Sequence, residues 1–400
     1  MNWLNLLILM LLTAGHAELM VTLINRIESL PIPRRVLRSL RLLEDIVVIS
    51  FPIVAIYCVG LGGAGLLRGG AWSDLSTPWI FYFSLCAAGC VGLVISTLRW
   101  WALRPPVLQL ANHSRTVDVA QTLGYQPLGP GLVRYFAKLP RNEIFQVQIS
   151  DKRYALPRVP PAWGELSILH LTDMHFTGKI DRPYFEEVAK LAAQTPADVI
   201  VFTGDLIDDM ALLPWLSATI GTLKAPLGCY YVLGNHDWFY DADAIRAEFD
   251  RCGWHNVAGR TIRVEHRGSP FEIGGTERPW MGRHPQFAEP NDAFRLLLSH
   301  TPDHFAWARR QGVDLMLAGH NHGGQIVLPV FGPIFGPSRH GVRYAGGAYW
   351  SDPTLLYVSR GLSGRRPMRF NCPPELTRLI LTPPAPGSSS PDGKHPWAGV

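Results

Sequence analysis

Cysteine is scarce and follows no pattern. The 400 residues hold six, Cys58, Cys86, Cys90, Cys229, Cys252 and Cys372, and no CxxC pair. Three of them fall inside apolar segments. A disulfide framework and a CxxC redox or zinc motif are thereby excluded, and free thiols in a reducing compartment are expected. Charge is missing over two long stretches. Ile46–Leu67 carries none in 22 residues and Pro78–Leu98 none in 21. Each is long enough to cross a hydrocarbon core of about 30 Å. A basic soluble face interleaved with aromatics is lacking too, which argues against nucleic acid as the partner. The net charge of +5 comes mostly from arginines beside the apolar segments. Such a distribution suits an anionic membrane surface.

The first hundred residues are far more apolar than the rest. Trp3–Ile24 is apolar apart from His16 and Glu18. It lacks the positive leader and the small-residue cleavage site of a signal peptide, so it reads as a membrane or interfacial helix. Arg26, Arg34, Arg35, Arg38 and Arg41 follow, and Val36, Leu37, Leu40 and Leu43 recur between them at helical spacing. That pattern predicts an amphipathic helix on the membrane face. These arginines place their side of the first uncharged span in the cytoplasm, and the second span returns the chain to that side. Arg99, Trp100, Trp101 and Arg104 then form an interfacial anchor. Gly60–Gly65 matches GxGxxG, but it lies within a span, where small residues serve helix packing and not dinucleotide binding.

These features divide the chain into a membrane region 1–104, an unassigned linker 105–144, a soluble catalytic domain 145–382 and a disordered Pro/Gly/Ser-rich tail 383–400. The soluble part alternates strand and helix at first, and strands dominate later. Sheets covered by helices are expected.

Five segments of this part share one layout, an apolar strand followed by metal-ligand side chains. They are Asp173-Met174-His175, Gly204-Asp205, Gly234-Asn235-His236-Asp237, the single His300, and Gly319-His320-Asn321-His322. Ligands at strand ends can converge on one rim. Carboxylates, an amide oxygen and imidazoles suit manganese, with iron or zinc as alternatives, better than calcium or copper(I). Seven such groups exceed one tetrahedral site and suit two metals sharing a bridging carboxylate.

In order and spacing these segments resemble the calcineurin-like metallophosphoesterase superfamily, and the closing Ser359-Arg360-Gly361, Arg369 and Pro374-Glu375 resemble its membrane-associated bacterial branch. The resemblance implies an α/β fold, a four-layer αββα sandwich, here preceded by transmembrane helices. It implies that Asp173, His175, Asp205 and His322 hold one divalent metal. Asp205, Asn235, His300 and His320 hold the second. His236 is then a non-ligand that protonates the leaving oxygen, and Asp237 orients its ring. Two cations about 3.5–4 Å apart activate a water for attack on phosphorus. The implied enzyme is a metal-dependent phosphoric ester hydrolase cleaving a phosphodiester or pyrophosphate at the cytoplasmic membrane. A lipid-linked or nucleotide-linked substrate of the UDP-diacylglucosamine type is expected from the tethering. The competing readings are a broad phosphodiesterase or phosphatase on soluble substrates and a catalytically silent metal-binding scaffold. Asp208 and Asp209 read as loop caps, and His170 as a packed core histidine. Arg360, Arg365 and Arg366 could meet a substrate phosphate or solvent.

Overall fold

Long uninterrupted apolar sequence makes the first unit helical. The computed structural model describes residues 1–131, 133–288 and 293–385. They fall into two units, one of residues 1–103 with 329–343, the other of 104–328 with the rest from 344. In the first, α1 spans Trp3–Glu28, α2 Arg34–Ala55 and α3 Thr77–Ala102. The Asn2 side chain caps α1 by accepting the Asn5 N–H, and Pro78 sits in the first turn of α3, where its missing N–H costs nothing. Three helical segments, Trp3–Glu28, Arg34–Leu61 and Thr77–Ala102, are long and apolar enough to cross a membrane.

Their shared core contains Leu9, Leu12, Phe51, Phe83 and Cys86. Two buried polar side chains there find partners within the unit. Asn5 donates to the Leu66 carbonyl at 2.8 Å and accepts from Trp72 Nε1 at 2.9 Å. His16 Nδ1 lies 2.7 Å from the Tyr82 hydroxyl, and its ring stacks on Phe51 at 4.0 Å.

Two boundaries differ from the sequence expectation. The basic amphipathic stretch and the first uncharged span form one continuous helix from Arg34, because nothing between Leu43 and Ile46 breaks it. The helix closes as a π turn over Ile56–Leu61, shortly after Pro52. Residues 329–343 leave the soluble part and join this helical unit. Asn25 Oδ1 accepts from the Gly336 N–H at 3.2 Å, Trp101 Nε1 donates to the Val330 carbonyl at 2.9 Å, and the Arg41 guanidinium lies 4.7 Å over Phe335.

The second unit is built on two sheets. Its strands are β1 Gln109–Asp118, β2 Gln146–Ala155, β3 Leu166–Leu171, β4 Val199–Phe202, β5 Cys229–Tyr231, β6 His255–Asn256 and β7 Thr261–His266. They continue with β8 Ser269–Thr276, β9 Phe294–Ser299, β10 Leu315–Ala318, β11 Gly347–Ser351, β12 Thr354–Val358 and β13 Glu375–Thr382. One sheet runs β1-β2-β13-β3-β4-β5-β6, the other β11-β12-β10-β9-β8-β7. Strands β3 to β6 are mutually parallel, as are β8, β9, β10 and β12. The stretch 105–144 thus supplies an edge strand, β1, which pairs antiparallel with β2. Its burial is slight, so its sequence lacks the clean alternation that marks a strand.

Alternation within each inner strand separates two cores. Ile168, Val199 and Val201 pack with Leu296, Leu298, Leu315 and Leu317 between the sheets. Leu169, Leu171, Ile200 and Phe202 point the other way, to helices α4 (Arg182–Ala193) and α5 (Ala242–Arg251) through Tyr184, Phe185, Val188 and Phe249. Each such side chain contributes about 1.5–3 kcal/mol on burial. On the second sheet α6, Phe305–Arg310, packs against β12. Helix, sheet, sheet and helix follow in turn. Beyond Ala385 the expected tail lies outside the described residues.

Candidate metal centre

The parallel strands fix where the polar residues go. β3, β4, β5, β9 and β10 all end where the ligand-type segments begin, so their side chains are delivered to one rim. Tight backbone turns then aim them inward. Asp173, His175, Asp205, His320 and His322 all have positive φ, between 46° and 72°, which non-glycine residues seldom adopt. Two glycines allow the close approach. A Cβ on Gly204 would stand 2.6 Å from the Gly234 nitrogen, and one on Gly319 would stand 2.3 Å from Asp173 Oδ2.

Three groups of possible donors result, each with its ligand atoms within 4.8 Å of one another: Asp173, His175 and His322; Asp205, His300 and His320; and His175, Asp208 and His236. The first two hold only residues expected as ligands. His175 Nε2 faces His322 Nε2 at 3.1 Å. His300 Nε2 faces His320 Nδ1 at 3.0 Å and Asn235 Oδ1 at 3.0 Å. Asp205 Oδ2 lies between the groups, 3.5 Å from His175 Nε2 and 3.2 Å from His300 Nε2. All seven expected ligand residues are therefore brought together, and Asp205 reaches a histidine of each group.

The opposite ring nitrogens are committed. His300 Nδ1 donates to the Thr203 carbonyl at 2.7 Å, and His175 Nδ1 to Asp208 Oδ2 at 2.8 Å. In the neutral ring this arrangement leaves the inward nitrogen of His300 and His175 as a lone pair, the state in which imidazole binds a cation. Burial pushes the Asp173 carboxyl up, and Asp205 adds to the effect. Burial opposes a charged His300, but Asp205 outweighs it and raises that imidazole to about 9, so a cation binding there displaces a proton. Buried carboxylates and lone pairs aimed at one another fit divalent cations.

The sequence profile of the Calcineurin-like phosphoesterase family matches residues 166–324. The chain is 30% identical to the uncharacterized metallophosphoesterase YkuE of Bacillus subtilis, over 63% of its own length and 90% of the relative's. The chain belongs to the calcineurin-like metallophosphoesterase family. It is 29% identical to the phosphodiesterase YaeI of Escherichia coli, covering 54% of this chain and 81% of that one. It is 28% identical to a bovine transmembrane protein with a metallophosphoesterase domain, covering 56% of this chain and 54% of that protein. Family membership makes it a phosphoester hydrolase dependent on a dinuclear metal centre, and the apolar helices and transmembrane relatives indicate membrane association.

Around this metallophosphoesterase centre three sequence readings are revised. Asp237 does not reach the His236 ring. It is fully buried and accepts from the backbone N–H groups of Gly234, Asp205, Leu206 and Ile207, at 2.9, 2.9, 3.0 and 3.2 Å, so it builds the loops that carry Asp205 and His236. The ring is held by Asp208, whose Oδ1 lies 2.8 Å from His236 Nδ1 while its Oδ2 holds His175. Asp208 is thus a clasp between two imidazoles and not a loop cap, whereas Asp209 does cap, accepting the Ala211 N–H. The spacing of Asp205 and Asp208, three residues apart on a tight loop, was the available signal. Arg360 is withdrawn from substrate by its ion pair with Glu375 at 2.7 Å. His170 is buried against Thr203 Oγ1 at 2.8 Å, in keeping with a structural role.

A further residue, marked in the sequence only by the family resemblance of its segment, has a structural role at the site. Arg369 is fully buried and donates to the His322 carbonyl at 2.9 Å and to the Ser363 carbonyl. It fixes the backbone that presents His322.

Proposed function

We propose that this chain is a membrane-anchored metallophosphoesterase that hydrolyses a phosphodiester or pyrophosphate bond in a lipid-linked or nucleotide-linked substrate at the cytoplasmic face. The observation that carries the reading is His236, an imidazole that stands beside the Asp205 carboxylate and that we assign as a non-ligand. Its Nε2 stands 3.9 Å from Asp205 Oδ2, and Asp208 fixes the other nitrogen. A site built only to hold metal has no need of it.

Asp173, His175, Asp205 and His322 would hold one metal, and Asp205, Asn235, His300 and His320 the other. Bound there, two divalent cations supply Lewis acidity, water activation and neutralisation of phosphoryl charge. Asp205 would serve both, and its backbone surroundings hold it still. Its Oδ1 accepts the His236 N–H at 2.9 Å, so acid and bridging carboxylate keep a fixed separation. Burial disfavours a charged His236, but Asp205 and Asp208 outweigh burial and raise its pKa. These carboxylates favour the protonated ring, the form that can give a proton to the departing oxygen. Manganese is the proposed metal, since carboxylate, amide and imidazole donors form a borderline-hard set.

Membrane tethering supports the substrate reading. Three apolar helices and the arginines at the start of α2 restrict the site to the neighbourhood of a lipid surface. The test is a lipid-extract screen with full-length protein in detergent, wild type against His236→Ala. A lipid phosphoester consumed by wild type alone supports the proposal. Good turnover of soluble diesters with no lipid consumed in mixed micelles would refute the lipid-linked part. Bound metal without hydrolysis of bis-p-nitrophenyl phosphate would refute catalysis itself.

A further inference from the structure

Two loops beside His236 carry cations that the phosphoesterase chemistry so far leaves unused. Lys179 follows the Asp173–His175 segment. Arg365 and Arg366 lie on the loop that precedes β13. Arg365 Nε is 3.5 Å from Asp208 Oδ1, the same oxygen that holds His236 Nδ1. Lys179 Nζ donates to the Arg365 carbonyl at 2.7 Å.

The loop that presents these arginines is built. Ser363, Arg365 and Arg366 each offer a backbone carbonyl to a donor from elsewhere in the chain. Arg369 donates to the first and Lys179 to the second, and Gln325 Nε2 donates to the third at 2.9 Å. Gln325 itself sits at φ 57°, in the glycine-rich turn that follows His322. Three donors hold the main chain while the side chains of Arg365 and Arg366 remain exposed.

Arg365 and Arg366 lie close enough to Lys179 to act on its charge. Lys179 is depressed by burial first and then by Arg365 and Arg366, with Asp208 opposing. Asp208 faces Arg365 and acts on Lys179, and it already serves two imidazoles. Holding like charges together is unfavourable unless an anion joins them.

We propose that Lys179, Arg365 and Arg366 form a second phosphate subsite on the His236 side of the centre, so that the preferred substrate is a diphosphate diester. This rests on the phosphoesterase reading above and narrows it from phosphodiesters in general. In the reaction a water oxygen forms a new bond to one phosphorus. The bridging P–O bond breaks, and its electron pair stays on the departing phosphate. That phosphate takes a proton from His236 Nε2, which solvent restores. The protons released by the water leave to solvent or stay on the new phosphate. Two phosphate monoesters result, with no oxidant or co-reactant. Arg365 and Arg366 would hold the departing phosphate as its charge rises.

The experiment uses full-length protein in detergent micelles with manganese. The probes are bis-p-nitrophenyl phosphate, UDP-N-acetylglucosamine as a soluble diphosphate diester, and CDP-diacylglycerol as a lipid one. The variant is Arg365→Ala/Arg366→Ala, with Arg365→Lys as the conservative control. The expected result is a fall of roughly 10–100-fold in kcat/KM on a diphosphate relative to the monophosphate diester, carried by KM, since a hydrogen bond to a charged group is at stake. Partial recovery is expected in Arg365→Lys. Loss confined to the lipid arm or the soluble arm identifies the source of the diphosphate. An equal fall on all three probes would overturn the subsite, as would wild-type cleavage of bis-p-nitrophenyl phosphate alone. Those outcomes leave the phosphoesterase reading standing, whereas wild-type inactivity on every probe overturns both.

Discussion

His16 in the helical unit and His300 in the catalytic unit are equally buried, at 0% and 1% exposure. Their surroundings differ in one respect. His16 meets a hydroxyl on Nδ1 and an aromatic ring on its face, so its partners are ordinary protein groups. His300 turns Nδ1 to a carbonyl and Nε2 toward an imidazole, an amide oxygen and a carboxylate. Acceptor facing acceptor is unfavourable until a proton or a cation stands between them, and the raised His300 value reports that demand. Burial of a histidine is thus uninformative, while the kind of atom that its second nitrogen faces is decisive.

The strongest way to break this comparison is Asp205→Asn. Removing the carboxylate between the two groups is expected to abolish hydrolysis of bis-p-nitrophenyl phosphate and to release metal. Metal content by elemental analysis that matched wild type would show that the groups are not joined through Asp205. His236→Ala should follow with a loss of about 10²–10⁴-fold on alkyl esters and unchanged metal content. Its pH profile sharpens the point. Because His236 is raised above the usual imidazole value, the wild-type rate should fall only on the alkaline side of that value, as the acid loses its proton. The variant should lack that limb.

A smaller effect is expected for Asp208→Asn, about 10–100-fold in activity or metal affinity, as for other outer hydrogen-bond partners of metal ligands. Here the alkaline limb should move to lower pH, because one of the carboxylates that raise His236 is gone. A profile that did not move would assign the ring to another partner. Smallest of all is Tyr82→Phe in the helical unit. It removes the His16 partner and should cost about 0.6 kcal/mol in helix association, as such bonds average in membrane bundles. Turnover should be unaffected, and a change in it would erase the distinction between the two histidines.

Much of the centre could be read from sequence because strand ends are easy to see. An apolar run that stops at Asp173, Asp205, Asn235, His300 or His320 announces both the strand and the ligand. Residues whose work depends on loop geometry were illegible. Asp208 and Asp237 sit in similar Asp-bearing loops, and only the folded chain shows that the first holds a ring and the second holds backbone amides. Arg369 is an ordinary arginine until its burial is known. Strand β1 escaped notice because an edge strand with little burial has little hydrophobic pattern. The fate of residues 329–343 had no local signal, since their partners Asn25, Arg41 and Trp101 lie more than two hundred residues away in sequence.

That last segment has a practical meaning for anyone preparing the enzyme. It leaves the chain a few residues after His322 and returns at Tyr344, whose carbonyl accepts from Asn321 Nδ2 at 2.8 Å. Cutting away the first 103 residues would leave Phe335 without Arg41 and Gly336 without Asn25, on a loop rooted beside a metal ligand. Shortening 329–343 to a tight turn in the same step removes those groups together with their helical partners.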